Sequence, residues 1–187
     1  RRLSDSARRR VSDIPRELQG TSAVGYALES MERQTSSLRR MVLRERAIFQ
    51  LIYGRLREEP AVTECLQLAE LPAEEQSYCT VVIQTISAVP KEVVTESVEH
   101  CVKGLCPVSG MEYITGKCYL FLLGHVQNRE KLRAAFTEAA DLITSQTGQA
   151  IRVTVGKSYS NPGKLNHSFR QAIQLHEGMA DGSYVRF

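Results

Sequence analysis

From Val24 to Leu56 one pattern repeats without a break: Val24, Leu28, Met31, Thr35, Leu38, Val42, Glu45, Phe49, Ile52 and Leu56 follow each other in alternating steps of four and three. That spacing is a heptad a/d seam, which a single α-helix presents along one stripe. Arg39, Arg40, Arg44, Arg46 and Arg55 lie between the seam positions, and no proline interrupts them. Such a helix reaches roughly 50 Å at 1.5 Å per residue, too long for one small core to cover. The spacing therefore predicts a helix that pairs with a second copy in a parallel dimer. The alternative is an amphipathic helix folded back on its own domain. Leu28, Met31, Leu38, Val42, Glu45, Phe49, Ile52 and Leu56 form the expected dimer seam. Thr35 and Glu45 interrupt it, and polar seam positions lower stability while fixing register or leaving it switchable. On this reading Glu45→Leu tightens the dimer. Gly54 and Pro60 end the helix, and Ala61–Leu71 reads as a short second helix closed by Pro72.

After residue 74 the pattern changes to alternating strands and helices. Tyr78–Ile86 is β-branched and apolar, the signature of a buried strand. Pro90 opens a helix running to Leu105, with Val94, Val98, Cys101, Val102 and Leu105 on one face. Met111–Thr115 and Cys118–Leu123 flank Gly116-Lys117 as a hairpin. Arg129–Thr147 is a helix with Leu132, Phe136, Ala139, Ala140 and Ile143 inward. Gln149–Val155 is a strand, Leu165–Glu177 a helix, and Tyr184–Phe187 a last strand. The order β-α-β-β-α-β-α(-β) predicts an α+β fold. Its plan is ferredoxin-like, as in nucleotide cyclases: an antiparallel sheet with helices on one face, preceded by the long coiled-coil-type helix.

Charge and composition narrow the function classes. The net charge of +3 is held by residues 1–21, where Arg1, Arg2, Arg8, Arg9, Arg10 and Arg16 outnumber Asp5, Asp13 and Glu17. The remainder balances to zero, which argues against a broad nucleic-acid footprint. The basic start is either a solvated tail or a juxtamembrane segment next to a membrane helix outside this chain. No apolar run suits a membrane span or signal peptide. Cys65, Cys79, Cys101, Cys106 and Cys118 are odd in number and include no CxxC pair, so no metal is expected and a reducing cytoplasm is. His100, His125, His167 and His176 are dispersed, with no recognisable nucleophile triad. Gly156-Lys157-Ser158 follows a strand like the end of a phosphate loop, but Ile151 stands where that loop needs its first glycine. A plain strand-end turn is expected there.

The β-α-β-β-α-β run resembles the GGDEF diguanylate cyclase domain. Its signature hairpin corresponds to Thr115–Leu123, TGKCYLFLL. Gly116 matches the second glycine and Tyr119 the aromatic, while the acidic pair is replaced by Lys117 and Cys118. After the first strand stand Gln84, Thr85, Ile86 and Ser87, with no carboxylate before Glu92. Two-metal phosphoryl chemistry needs carboxylates to hold Mg²⁺, and a lysine there repels it. Neither cyclase activity nor a cofactor is expected.

Degenerate domains of this kind occur in membrane-bound AraC-type regulators and in CdaR/PucR-type transcription factors. The segment Ile151–Met179 is similar to their strand–VGxS–helix stretch, and Tyr26–Leu56 to their linker helix. The likeness covers about residues 22–187. It divides the chain into a basic segment (1–21), a dimerisation and signalling segment (22–73) and a degenerate GGDEF-like domain (74–187). The resemblance implies a cytoplasmic, non-catalytic homodimeric module that relays a sensor signal. DNA is contacted only through a helix-turn-helix domain beyond this chain, and the parent protein is membrane-anchored in part of the family. The alternative is a regulatory domain that binds a nucleotide or metabolite in the vestigial cleft, with Lys117 as anion contact.

Overall fold

The period-two alternation of three apolar strands gives the sheet two apolar faces, and both must be covered. In the computed structural model, which describes residues 21–54, 56, 58–74, 77–176, 182 and 184–187, the sheet order is β2-β3-β1-β4-β5. The strands are β1 (Cys79–Thr85), β2 (Val108–Ile114), β3 (Cys118–Leu123), β4 (Ile151–Val155) and β5 (Tyr184–Arg186). β1 is central, antiparallel to β3 from Cys79↔Leu123 to Gln84↔Cys118 and to β4 from Val81↔Val155 to Thr85↔Ile151. The hairpin β2–β3 completes the ferredoxin-like order.

The helices are α1 (Thr21–Tyr53), α2 (Glu59–Leu68), α3 (Lys91–Val102), α4 (Arg129–Thr147) and α5 (Leu165–Gln174). Cys79, Val81 and Ile83 of β1, Tyr119, Phe121 and Leu123 of β3, and Ile151, Val153 and Val155 of β4 build one core cluster with α3 and α4. Val94, Val98 and Val102 come from α3; Leu132, Phe136, Ala139, Ala140 and Ile143 come from α4, as their spacing predicts. Local signals set the ends of α4. The Asn128 side chain accepts from the Lys131 N–H at 2.9 Å, and Gly148 closes the helix at φ +68° with its N–H on Thr144 O.

The α+β plan therefore holds, and two details differ from the expected sheet. The opposite face is covered too: Val82, Leu120, Leu122, Met111 and Cys118 pack with Ala47, Ile48, Leu51 and Ile52 of α1, with α2, and with Leu165, Phe169 and Ala172 of α5. The reason is that β3 is buried at every position, so neither face tolerates water. The second difference is β5, which runs parallel to β4 from Arg152↔Tyr184 to Thr154↔Arg186 and makes the sheet mixed. A parallel neighbour needs a crossover, and α5 supplies it.

Two units are distinguished, residues 1–42 and 43–187. Of the first, residues 1–20, including the basic segment, lie outside the described residues, and α1 continues helically to Val42. Leu28, Met31, Leu38 and Val42 are 56–59% exposed. Thr35 Oγ1 returns a hydrogen bond to Met31 O at 2.8 Å, and Arg33 pairs loosely with Glu29 at 3.5 Å. The second unit takes in residues 43–73, which the sequence pattern assigns to the helical segment. They belong there because Ala47, Ile48, Leu51, Ile52, Val62 and Leu66 are among the buried core. No helix among the described residues is long and apolar enough to cross a membrane.

Candidate functional site

The hairpin turn that resembles the GGDEF signature is tied down from behind by the segment following β1. Gly116 takes φ +68°, a conformation glycine adopts without penalty. A Cβ there would stand 3.0 Å from Ala88 Cβ, so the turn lies directly on residues 85–89. Gly116 O accepts from Val89 N at 2.8 Å and from Thr85 Oγ1 at 3.1 Å, and Lys117 O accepts from Thr85 N at 3.0 Å. Gly116 N donates to the Glu112 carboxylate, and the Tyr119 hydroxyl donates to Val89 O. Thr115 and Lys117 remain exposed at the tip, while Cys118 and Tyr119 point into opposite faces of the sheet and are buried.

The two side chains that follow the turn, Cys118 and Tyr119, are both buried. Burial pushes the Cys118 thiol up to about 11, against a hydrogen bond with the Gln84 side chain that lowers it. Burial, with the Glu112 and Glu92 carboxylates adding to it, pushes Tyr119 up to about 12. Both are therefore neutral near pH 7 and offer neither a thiolate nor a phenolate. Among the described residues no group of three or more His, Cys, Asp or Glu is placed to hold a metal ion.

Around α1 the structure brings together residues that sequence spacing does not associate. Glu45, an expected seam position, forms a 2.7 Å ion pair with Lys91, the first residue of α3. Lys91 follows the Val89 backbone, on which the hairpin turn rests, by two residues. Phe49 stacks on Tyr53 at 5.9 Å and meets Tyr113 of β2 at 6.1 Å. Tyr113 in turn sits edge-on to Phe169 of α5 at 5.6 Å, and its hydroxyl lies 3.0 Å from that of Tyr53. Of the remaining seam positions, Ile52 is buried in the core of its own domain and Leu56 is half-buried against it. Lys91, Tyr113 and Phe169 carry no sequence signal of this role. Pro90 marks a helix start but not its neighbour's partner.

The VGKS turn is the other motif the structure explains. A Cβ on Gly156 would fall 2.1 Å from Ser168 O and 2.4 Å from Ser168 Oγ, so α5 crosses the end of β4 in contact with its backbone. Gly156 N donates to Thr80 O at 2.9 Å, and Ser168 Oγ accepts from Thr80 N at 2.9 Å. The glycine is required by this crossing. Lys157 N donates to Gln171 Oε1 at 3.2 Å, a turn-to-helix contact.

No family model matches the chain, and neither does any curated protein. Among solved structures it is similar to a regulator of polyketide synthase expression from Bifidobacterium adolescentis, with a TM-score of 0.51 over 79% of this chain at 12% identity. The likeness is one of fold. The chain matches about half of that regulator, 55% of its length.

Proposed function

We propose that this chain is a non-catalytic transmission and dimerisation module of a cytoplasmic transcriptional regulator of the AraC or CdaR/PucR kind, with a degenerate GGDEF-like domain. The observation that carries the reading is the division of labour along α1. Its residues 47, 48, 51 and 52 are buried in their own domain, while Leu28, Met31, Leu38 and Val42 keep more than half their surface exposed at heptad spacing. Apolar residues repeated in that way are self-complementary, so a second copy of the same helix is the occupant that fits them. Two such helices form a parallel coiled coil. A change in their pairing reaches the domain through Glu45–Lys91 and through Phe49–Tyr113, contacts that end on the β1–α3 segment and on β2. DNA is bound by a separate helix-turn-helix domain of the parent protein. The regulator with the similar fold supports a regulatory role, and a hairpin turn sealed by backbone bonds, with Lys117 and Cys118 at the positions of the acidic pair, supports the absence of cyclase chemistry.

The test is the solution mass of the full chain across a dilution series, beside a Leu38→Glu, Val42→Glu variant. A dimer that becomes a folded monomer in the variant supports the reading. A monomer in both, at every concentration reached, refutes the seam. Deleting everything before Glu74 does not serve, because it removes Ala47, Ile48, Leu51, Ile52, Val62 and Leu66 from the core and exposes Val82, Leu120 and Leu122.

A further inference from the structure

A hollow of about 370 Å³ lies where the end of β4, the C-terminal turn of α5 and the start of α4 meet, far in the chain from the signature hairpin. Its size falls within the range of small-ligand sites, roughly 300–1,000 Å³. The apolar part of its lining is Val155, Leu175 and Phe187. Cations come from two separate elements: Arg129 opens α4, and Lys157 follows β4. Both are exposed, and among the described residues neither forms an ion pair with a carboxylate. Arg129 and Arg133 each stand 5.4 Å from the centroid of the Phe187 ring, which positions the guanidiniums without consuming their N–H donors. Arg129 also occupies the positive end of a 19-residue helix, which favours an anion. Gln171 is already committed, accepting from Lys157 N and donating to Tyr159 OH. Gln174 is exposed on the rim.

We propose that this hollow binds a small organic anion, its carboxylate or phosphate head between Arg129 and Lys157 and its apolar body against Val155, Leu175 and Phe187. An inorganic anion fills only the charged half, and a neutral apolar molecule leaves the cations unused. An effector bound here lies against α4, α5 and β4 together, so it adds a ligand input to the module and does not depend on whether the chain dimerises.

The probes are 4-fluorobenzoate, 4-fluorophenyl phosphate and the neutral 4-fluorobenzyl alcohol, titrated onto the full chain and followed by fluorine NMR. Inorganic phosphate serves as competitor. At least one organic anion binds at millimolar concentration or tighter, and the preferred head identifies the ligand class. The alcohol and inorganic phosphate bind more weakly. Replacing charge-assisted hydrogen bonds in an R129Q, K157Q variant weakens the anion about tenfold or more. Both side chains are exposed, so the variant keeps its thermal midpoint. L175S weakens the probes by removing apolar contact while leaving the head preference intact. Equal binding of alcohol and anion, undiminished binding to R129Q, K157Q, or no binding of either anion at millimolar concentration overturns the proposal. Solution mass remains an independent readout, so failure here leaves the dimer reading standing, and the reverse also holds.

Discussion

Ile48→Ala and Leu38→Ala are two apolar truncations in one helix with opposite expected consequences. Ile48 is fully buried against the sheet, packed among α1, α2 and α5. The change removes three carbons, each worth about 0.8 kcal/mol of transfer free energy. A cavity term adds to that, because a core that is already close-packed relaxes only in part. The sum is about 3 kcal/mol, which for a body of this size lowers the thermal midpoint by roughly 6–12 °C. Leu38 is 59% exposed, so its truncation costs the folded domain no more than about 0.5 kcal/mol. In the proposed dimer it instead removes a seam contact from both helices and weakens association about tenfold or more. The assay is urea unfolding followed by circular dichroism at two protein concentrations, with light scattering on the same samples. Ile48→Ala lowers the midpoint at both concentrations, while Leu38→Ala lowers it only at the higher one, where association contributes to stability. If Ile48→Ala costs less than about 1 kcal/mol, or if both variants lose equal stability when dilute, the division of α1 into a core half and a free half is wrong.

Three further expectations come from the same structure. Gly156→Ala forces a methyl group onto Ser168 O and strains the Ser168–Thr80 bond, so it destabilises by roughly 3 kcal/mol or more, whereas Gly148→Ala, with open space around it, costs about 1–2 kcal/mol from its left-handed backbone alone; comparable urea midpoints for the two variants contradict the close crossing. Burial raises Cys79 to about 12, Cys106 to about 11 and Cys118 to about 11, so the native state keeps protons that the unfolded chain releases from about pH 9 upward. Stability is complete below pH 9 on this account and declines as the pH rises toward 11–12; a urea midpoint that stays level over that window is the contrary result. A double-mutant cycle on Glu45→Gln and Lys91→Met returns a coupling of about 0.5–1 kcal/mol, reduced by added salt, since both side chains are partly screened by water. A coupling indistinguishable from zero removes that link from the relay.

Legibility varied with how local the determining interaction is. Helix α4, Arg129–Thr147, and its inward residues were readable because its apolar stripe has the helical period, and the structure adds the Asn128 cap and the Gly148 stop that fix its ends. The hairpin was readable from an apolar strand on either side of a glycine, and Gly116 does take the left-handed turn. The Gly156 motif could be seen as a motif but not understood, because Ser168, the group it makes room for, is twelve residues away on helix α5. Lys91 and Tyr113 could not be found at all. A lysine beside a helix-opening proline and a tyrosine in an edge strand read as ordinary surface until Glu45 and Phe49 are brought against them.

What the sequence determined by itself is what repetition along the chain encodes: the heptad stripe of α1, the order of strands and helices, and the ferredoxin-like plan. Periodicity and residue chemistry suffice for these because each depends only on neighbours a few positions apart. Only the tertiary structure decided which part of that long helix is spent on its own domain. Phe49 and Ile52 continue the same a/d steps as Leu38 and Val42, and nothing in the spacing separates them. The separation comes from a sheet with two apolar faces, whose second face is covered by α1, α2 and α5 together and so claims Ala47, Ile48, Leu51 and Ile52.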